Sequence, residues 1–332
     1  MKKVISLVLV FALMLCFAAC GNTDKKDDTT TTTEAPYQSV TIRVAGLSGP
    51  TGIGMAKLMS DKDNGSAKND YQFTLVSDPK EISAGMIGKN FDIAACPINL
   101  ASVLYNKLEG NVQVLSINTK GVLYILENGN TINSLSDLAG KKLYATGQGS
   151  TPEYILNYLL DKSGIKDKVT VEYVTSHDEL ATLAAAGKAT IAMLPEPKVT
   201  AAMMQNADLR IALNLTEEFE KLSGETLIQG VVIASKDFVK ANPEAVEMFL
   251  KEYEASIGYA NSDVEGAAAL CEQYKIIPKA AMAKKAIPNC NISYIDGADM
   301  KSAVTANLQI FFDADKTSIG GKLPGDDFYY GV

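Results

Sequence analysis

The chain has 332 residues, a formal charge of −8 at pH 7, one histidine and no tryptophan. An acidic body without basic clusters lacks the electrostatic footprint of a nucleic-acid-binding protein, and a lone imidazole without a C-x-x-C pair argues against a zinc cage; no cofactor is expected. The length exceeds one ordinary hydrophobic core, so two lobes are expected.

In chain order, Lys2 and Lys3 precede an apolar run over 4–19. That run is shorter than the roughly 20 residues of a membrane span and has the layout of a secretory signal. Ala18, Ala19, Cys20 and Gly21 match the end of a bacterial lipoprotein signal, with Phe17 where leucine is usual. The expectation is a leader over 1–19 and lipidation at Cys20. Cys16, preceded by Leu15, fits less well, and an uncleaved anchor is the alternative reading. Either places the body outside the cytoplasm, attached to the membrane. Residues 20–38 carry five consecutive threonines and almost nothing apolar, so they read as a flexible tether.

A strand over 41–45 then runs into a loop holding Gly46, Gly49, Pro50, Gly52 and Gly54, and continues as a helix. A strand, a glycine turn and a helix N-terminus suit polar or anionic groups. The nucleotide patterns fail, because Gly54 is followed by Met55 and Ala56 instead of Lys-Ser/Thr, and the glycines are wrongly spaced for G-x-G-x-x-G. A plain tight turn is the other reading. Further strands are expected over 72–76, 92–96 and 112–117, with Cys96 a buried thiol. A second set follows over 142–145, 170–174, 190–194 and 209–213. Helices are expected over 243–260, 264–274, 279–287 and 299–312, then an aromatic tail, "GGKLPGDDFYYGV", packing on the first lobe. Cys271 and Cys290 are left open as a pair.

Three units recur in the same order at an offset of 98 to 100 residues: "VAGLSGPTG" from Val44 against "YATGQGSTP" from Tyr144, Ser77 through Lys89 against Ser176 through Lys188, and Ile93 with Pro97 against Ile191 with Pro195. This argues for two similar α/β lobes, each a mostly parallel sheet covered by helices. Right-handed crossovers put the loops after the strands at one edge, where open α/β sheets bind ligands. "NTKGVLYIL" and "LIQGVVIAS" read as two crossover strands, with Gly121 and Gly230 as hinges; ordinary strands with a bulge glycine are the alternative. The expected division is 39–120 for the first lobe, 121–227 for the second, and 228–332 returning to the first.

The signal, tether, repeated lobes and paired crossovers resemble the substrate-binding lipoproteins of ABC importers. The stretches "GLSGPTGIGMAKLM", "FDIAACPINLASVLYNK", "GQGSTPEYILNYLL" and "AMLPEPKV" are similar to the branch with the sulfonate, nitrate and thiamine-pyrimidine binding proteins. The resemblance implies a type II periplasmic-binding-protein-like fold and a monomer that closes on a small-molecule solute. It also implies docking on a membrane permease driven by an ATPase subunit.

Within that geometry the expected contacts are Ser48, Thr51 and Gly52 on one wall and Gly149, Ser150 and Thr151 on the other. Thr51, Ser150 and Thr151 read equally as helix N-caps, as does Asn99, whose amide suits a carboxylate or amide. Glu196 is expected to point to solvent, or else to meet an amino or protonated ring nitrogen of the solute. Gln229 reaches from the floor. Neither glycine loop has an Arg or Lys, so the solute is expected to be neutral, zwitterionic or singly charged.

Two other readings stand beside solute delivery. A sensing lipoprotein would present its closed form to a receptor. An enzyme on the same fold would depend on His177, whose neighbours Asp178 and Glu179 instead suit a capping turn.

Overall fold

The computed structural model describes residues 37–332, and Ser39–Val332 form one compact unit. The expected leader, the lipidation site Cys20 and nearly all of the tether lie outside the described residues.

The strands are β1 (Thr41–Leu47), β2 (Asp70–Val76), β3 (Ile93–Pro97), β4 (Val112–Lys120), β5 (Leu123–Asn128), β6 (Lys142–Ala145), β7 (Thr170–Tyr173), β8 (Ile191–Pro195), β9 (Leu209–Asn214), β10 (Ile228–Ser235) and β11 (Ile292–Ile295). The helices are α1 (Pro50–Ile53), α2 (Ala56–Asp63), α3 (Pro79–Ile87), α4 (Ile98–Lys107), α5 (Thr151–Lys162), α6 (His177–Ala185), α7 (Lys198–Gln205), α8 (Leu215–Ser223), α9 (Lys236–Ala241), α10 (Pro243–Ser262), α11 (Val264–Gln273), α12 (Ala280–Ala286) and α13 (Gly297–Ala314). All eight strands expected in the two repeats are present. The short edge strand β11 had no expectation attached to it.

Local chemistry explains several boundaries. Asp78 and Glu81 form a reciprocal cap at the start of α3, with Pro79 in the first turn. The Ser176 hydroxyl accepts from the Glu179 N–H and so opens α6. Asn214 caps α8, which Gly224 ends at φ 74.

The strands form two sheets, ordered β11-β4-β10-β3-β1-β2 and β7-β6-β8-β5-β9. In the first, β1 runs parallel to β2 and β3, while β10 is antiparallel to β3 and β4. In the second, β6 runs parallel to β7 and β8, while β5 is antiparallel to β8 and β9. Leaving β11 aside, the sheets share one order and one set of directions, which is the repeat read from the sequence. In each, the antiparallel strand comes from the chain that has just crossed between lobes. The two-lobed α/β architecture is therefore interlocked.

The outgoing crossing falls at Gly121, between β4 and β5. The return lies at 224–227, upstream of Gly230, which sits inside β10 opposite Pro97 and Thr119. The crossings touch, since the Gly121 N–H donates to the Leu227 carbonyl at 2.8 Å. Neither glycine has a positive φ; both serve close approach. A Cβ on Gly121 would lie 2.3 Å from Thr216 Oγ1, and one on Gly230 would lie 2.4 Å from Thr51 Cγ2.

One buried core runs continuously beneath both sheets, joining Ile117 and Ile228 to Leu123, Phe219 and Phe311, and each sheet has a further core on its opposite face. The aromatic tail belongs to the first lobe: Phe328 and Tyr329 are buried, and Tyr329 bridges to Val114. Cys96, Cys271 and Cys290 are buried free thiols, and burial pushes the Cys271 thiol up to about 12.

Candidate functional site

The carboxyl ends of β1 and β3 in the first sheet, and of β6, β7 and β8 in the second, carry the loops singled out by the repeat. Gly49 and Gly149, equivalent at an offset of 100, have φ 99 and 72 with open space around a hypothetical Cβ. The turn itself demands glycine here, because an L side chain is strained at such φ. Two residues on, a threonine stands in the first turn of a helix: Thr51 second in α1, Thr151 first in α5. Thr51 is 7% exposed and Thr151 5%. Neither hydroxyl has a partner among the described residues, and neither is among the sealed-in orphan atoms, Asn106 Oδ1, Ser116 Oγ and Thr216 Oγ1. Each lobe thus offers one deeply set hydroxyl that solvent still reaches.

The other expected contacts are arranged less freely. Ser48 is exposed, with its N–H donating to the Val76 carbonyl at 2.9 Å. Gly52 does not offer a bare donor: its N–H bonds the Gly49 carbonyl at 2.9 Å, and a Cβ there would stand 2.4 Å from the Leu47 carbonyl oxygen. The Gly149 N–H donates to Glu153 Oε2 at 2.6 Å, and the Ser150 hydroxyl turns back to the Gly147 carbonyl at 2.6 Å. Asn99 is half-buried and donates to the Ser318 carbonyl at 3.4 Å. Gln229 is half-buried at an irregularity of β10, and its amide has no partner among the described residues.

Glu196 overturns the expectation that it points to solvent, since it is only 2% exposed. Its Oε2 accepts from the Thr200 N–H at 3.1 Å, and its Oε1 accepts from the Thr200 hydroxyl at 3.0 Å and Asn289 Nδ2 at 3.2 Å. The carboxylate caps the first turn of α7, where the helix dipole favours negative charge. Its charge therefore needs no cationic solute. Burial still raises its pKa, against the bonds from Thr200 and Asn289.

Sequence reasoning missed the residues that tie the walls together. Asn289 lies on the return segment just before β11, yet second-lobe groups hold it twice: through Glu196, and through the Tyr124 hydroxyl, which donates to its carbonyl at 2.7 Å. On the opposite rim, the Tyr154 hydroxyl reaches both the Gly149 carbonyl, at 3.2 Å, and Asp315 Oδ2, at 3.3 Å. Beneath the first loop, Asn118 Nδ2 donates to the Thr51 carbonyl at 3.1 Å and to the Tyr253 hydroxyl at 3.0 Å. These partners come from distant segments with no local motif; the turn-forming "PNCN" around Asn289 is the nearest thing to a signal.

Among the described residues no cluster of three or more His, Cys, Asp or Glu could hold a metal ion, and no helix is long and apolar enough to cross a membrane.

Two interlocked α/β lobes, with matched glycine loops on the carboxyl edges of their sheets, define a periplasmic-binding-protein fold. Residues 107–267 match the family model described as NMT1/THI5 like. Among solved structures, an ABC transporter protein from Parabacteroides distasonis is similar at 25% identity and TM-score 0.74, covering 87% of this chain and 98% of that one. The periplasmic aliphatic sulphonate binding protein SsuA from Escherichia coli shares 14% identity at TM-score 0.68, covering 83% and 93%. The alkanesulfonate-binding SsuA from Xanthomonas axonopodis pv. citri, bound to MOPS, shares 16% at TM-score 0.60, covering 85% and 94%. None of the curated proteins searched matches the sequence.

Proposed function

We propose that the protein is an extracytoplasmic solute-binding lipoprotein of an ABC importer. It captures a small polar solute between its lobes, closes about the Gly121 crossing, and delivers the solute to a membrane permease coupled to an ATPase. It works as a monomer, and no bond is broken. The observation that carries this reading is the pair Thr51 and Thr151, at equivalent places in the two lobes, each nearly buried with a solvent-reached hydroxyl lacking a protein partner. Two such hydroxyls suit a ligand with polar groups at both ends, and closure would remove them from water only when the ligand supplies the missing bonds.

The test is thermal unfolding of residues 39–332 against sulfonates, amino acids, pyrimidines, nitrate and bicarbonate. A solute at about 100 times its Kd adds about 2.7 kcal/mol and raises Tm by several degrees. Silence across the panel counts against the reading. For a solute that binds, Thr51→Ala and Thr151→Ala should each weaken affinity by about 0.5–1.5 kcal/mol, a few-fold to roughly tenfold. If both variants stay within about twofold, these hydroxyls do not contact it.

A further inference from the structure

Three segments that follow parallel strands of the second sheet meet at its carboxyl edge. Thr146 follows β6, His177 opens α6 after β7, and Lys198 opens α7 after β8; the strand order β7-β6-β8 makes these ends neighbours. His177 Nδ1 lies 2.6 Å from Thr146 Oγ1, and Thr146 is 1% exposed, so an enclosed hydroxyl fixes the ring's orientation. The ring is half-buried, and Nε2 has no partner among the described residues. Lys198 pairs with Asp178, whose side chain is 80% exposed. This wall therefore holds one permanent cation and one imidazole able to become a second; its carboxylates are Asp178, which water screens, Glu196, held by Thr200 and Asn289, and Glu153, held by the Gly149 N–H. Five residues past Thr146 stands Thr151, with its unpartnered hydroxyl.

We propose that His177 is a solute-contacting residue of the second lobe, presenting Nε2 to an oxygen of an anionic group held beside Lys198 and Thr151, so that capture tightens as pH falls. The proposal rests on the solute-binding reading above and deepens it.

The sign follows from the ring's surroundings. Burial, then the Lys198 ammonium, hold the His177 pKa below the usual imidazole value, while Asp178 opposes them. Without solute the ring is therefore neutral at pH 7. An anion against Nε2 favours the imidazolium and raises the pKa on binding. By linkage, affinity is flat above the raised value of the bound state and climbs as pH falls towards the lowered value of the free state. The charged groups beside the ring are Asp178 from α6 and Lys198 from α7, and the β6 side contributes the neutral Thr146. The competing possibility is that the Thr146 bond merely staples β6 to α6.

The protein has a single histidine, so its imidazole C–H signals can be followed by NMR without ambiguity. The probes are methanesulfonate and its neutral counterpart dimethyl sulfone, each also tested by thermal unfolding. Methanesulfonate is expected to shift the imidazole signal and raise its titration midpoint, and dimethyl sulfone to do neither. His177→Gln keeps a neutral donor near the Nε2 position, so it should retain methanesulfonate affinity at about pH 8 and lose the gain at about pH 5.5. His177→Asn keeps a partner for Thr146 but falls short of the solute, so affinity should drop several-fold at both. If methanesulfonate raises Tm and leaves the imidazole signal unmoved, binding stands and the His177 contact is overturned. If it does neither, the anionic wall is overturned, and the solute panel alone decides the broader reading.

Discussion

Replacing Glu196 by alanine is expected to cost about 2–4 kcal/mol of folding stability, measured by urea unfolding of residues 39–332. The side chain is 2% exposed and accepts three hydrogen bonds, so truncation strands the Thr200 N–H, the Thr200 hydroxyl and the Asn289 amide at once. It also removes one of the two bonds by which the second lobe holds Asn289. Glu196→Gln separates charge from contact. Because burial raises the folded-state pKa, the wild-type carboxyl contributes most below its unfolded value of about 4.3. That contribution is lost as pH rises through the raised folded value. Glutamine does not titrate, so Glu196→Gln should gain relative to wild type across that window. A loss below about 0.5 kcal/mol in Glu196→Ala would show that Thr200 and Asn289 find other partners.

Gly230→Ala is expected to destabilise the protein by about 1–3 kcal/mol and to weaken solute binding as well. A Cβ at this position would stand 2.4 Å from Thr51 Cγ2 and 2.7 Å from Asn118 Oδ1. Asn118 holds the Thr51 carbonyl from beneath, so strain at Gly230 passes directly to the loop proposed to hold the solute. The backbone itself tolerates alanine, because Gly230 has no positive φ. Thr51→Ser removes the methyl that a new Cβ would strike, so the double variant should recover part of the loss. A fully additive double variant would place the cost at Asn118 or elsewhere. Stability comes from urea unfolding, and affinity from calorimetry with whichever solute the panel identifies.

The repeat carried most of what the sequence made legible. Gly49 with Gly149 and Thr51 with Thr151 stand 100 residues apart in the chain. The structure gives both glycines a positive φ and leaves both threonines nearly buried without a hydroxyl partner, while their neighbours differ. Glu196 was misread because an acid next to a helix start looks like a solvated cap, and nothing local announces that Asn289, more than ninety residues later, closes over it. Gly52 was read as a bare backbone facing the solute and Gly230 as a hinge; the structure crowds the first against the Leu47 carbonyl and the second against the Thr51 methyl. Asp315 and Tyr154 were invisible for a similar reason: their meeting depends on how α13 lies against α5, which periodicity does not encode.

The position of β10 between β3 and β4 also dictates an order of events during synthesis. A chain emerging from its N-terminus makes β1 to β4 first, then all of the second lobe, and only afterwards the strand that joins β3 to β4. Until residues 228–235 exist, the first sheet is two fragments with open edges, and its core waits longer still for α13. The second sheet receives all five of its strands in one uninterrupted stretch from 123 to 214. It is therefore the unit equipped to fold early, with the first lobe assembling around it late, a sequence set by long-range strand pairing.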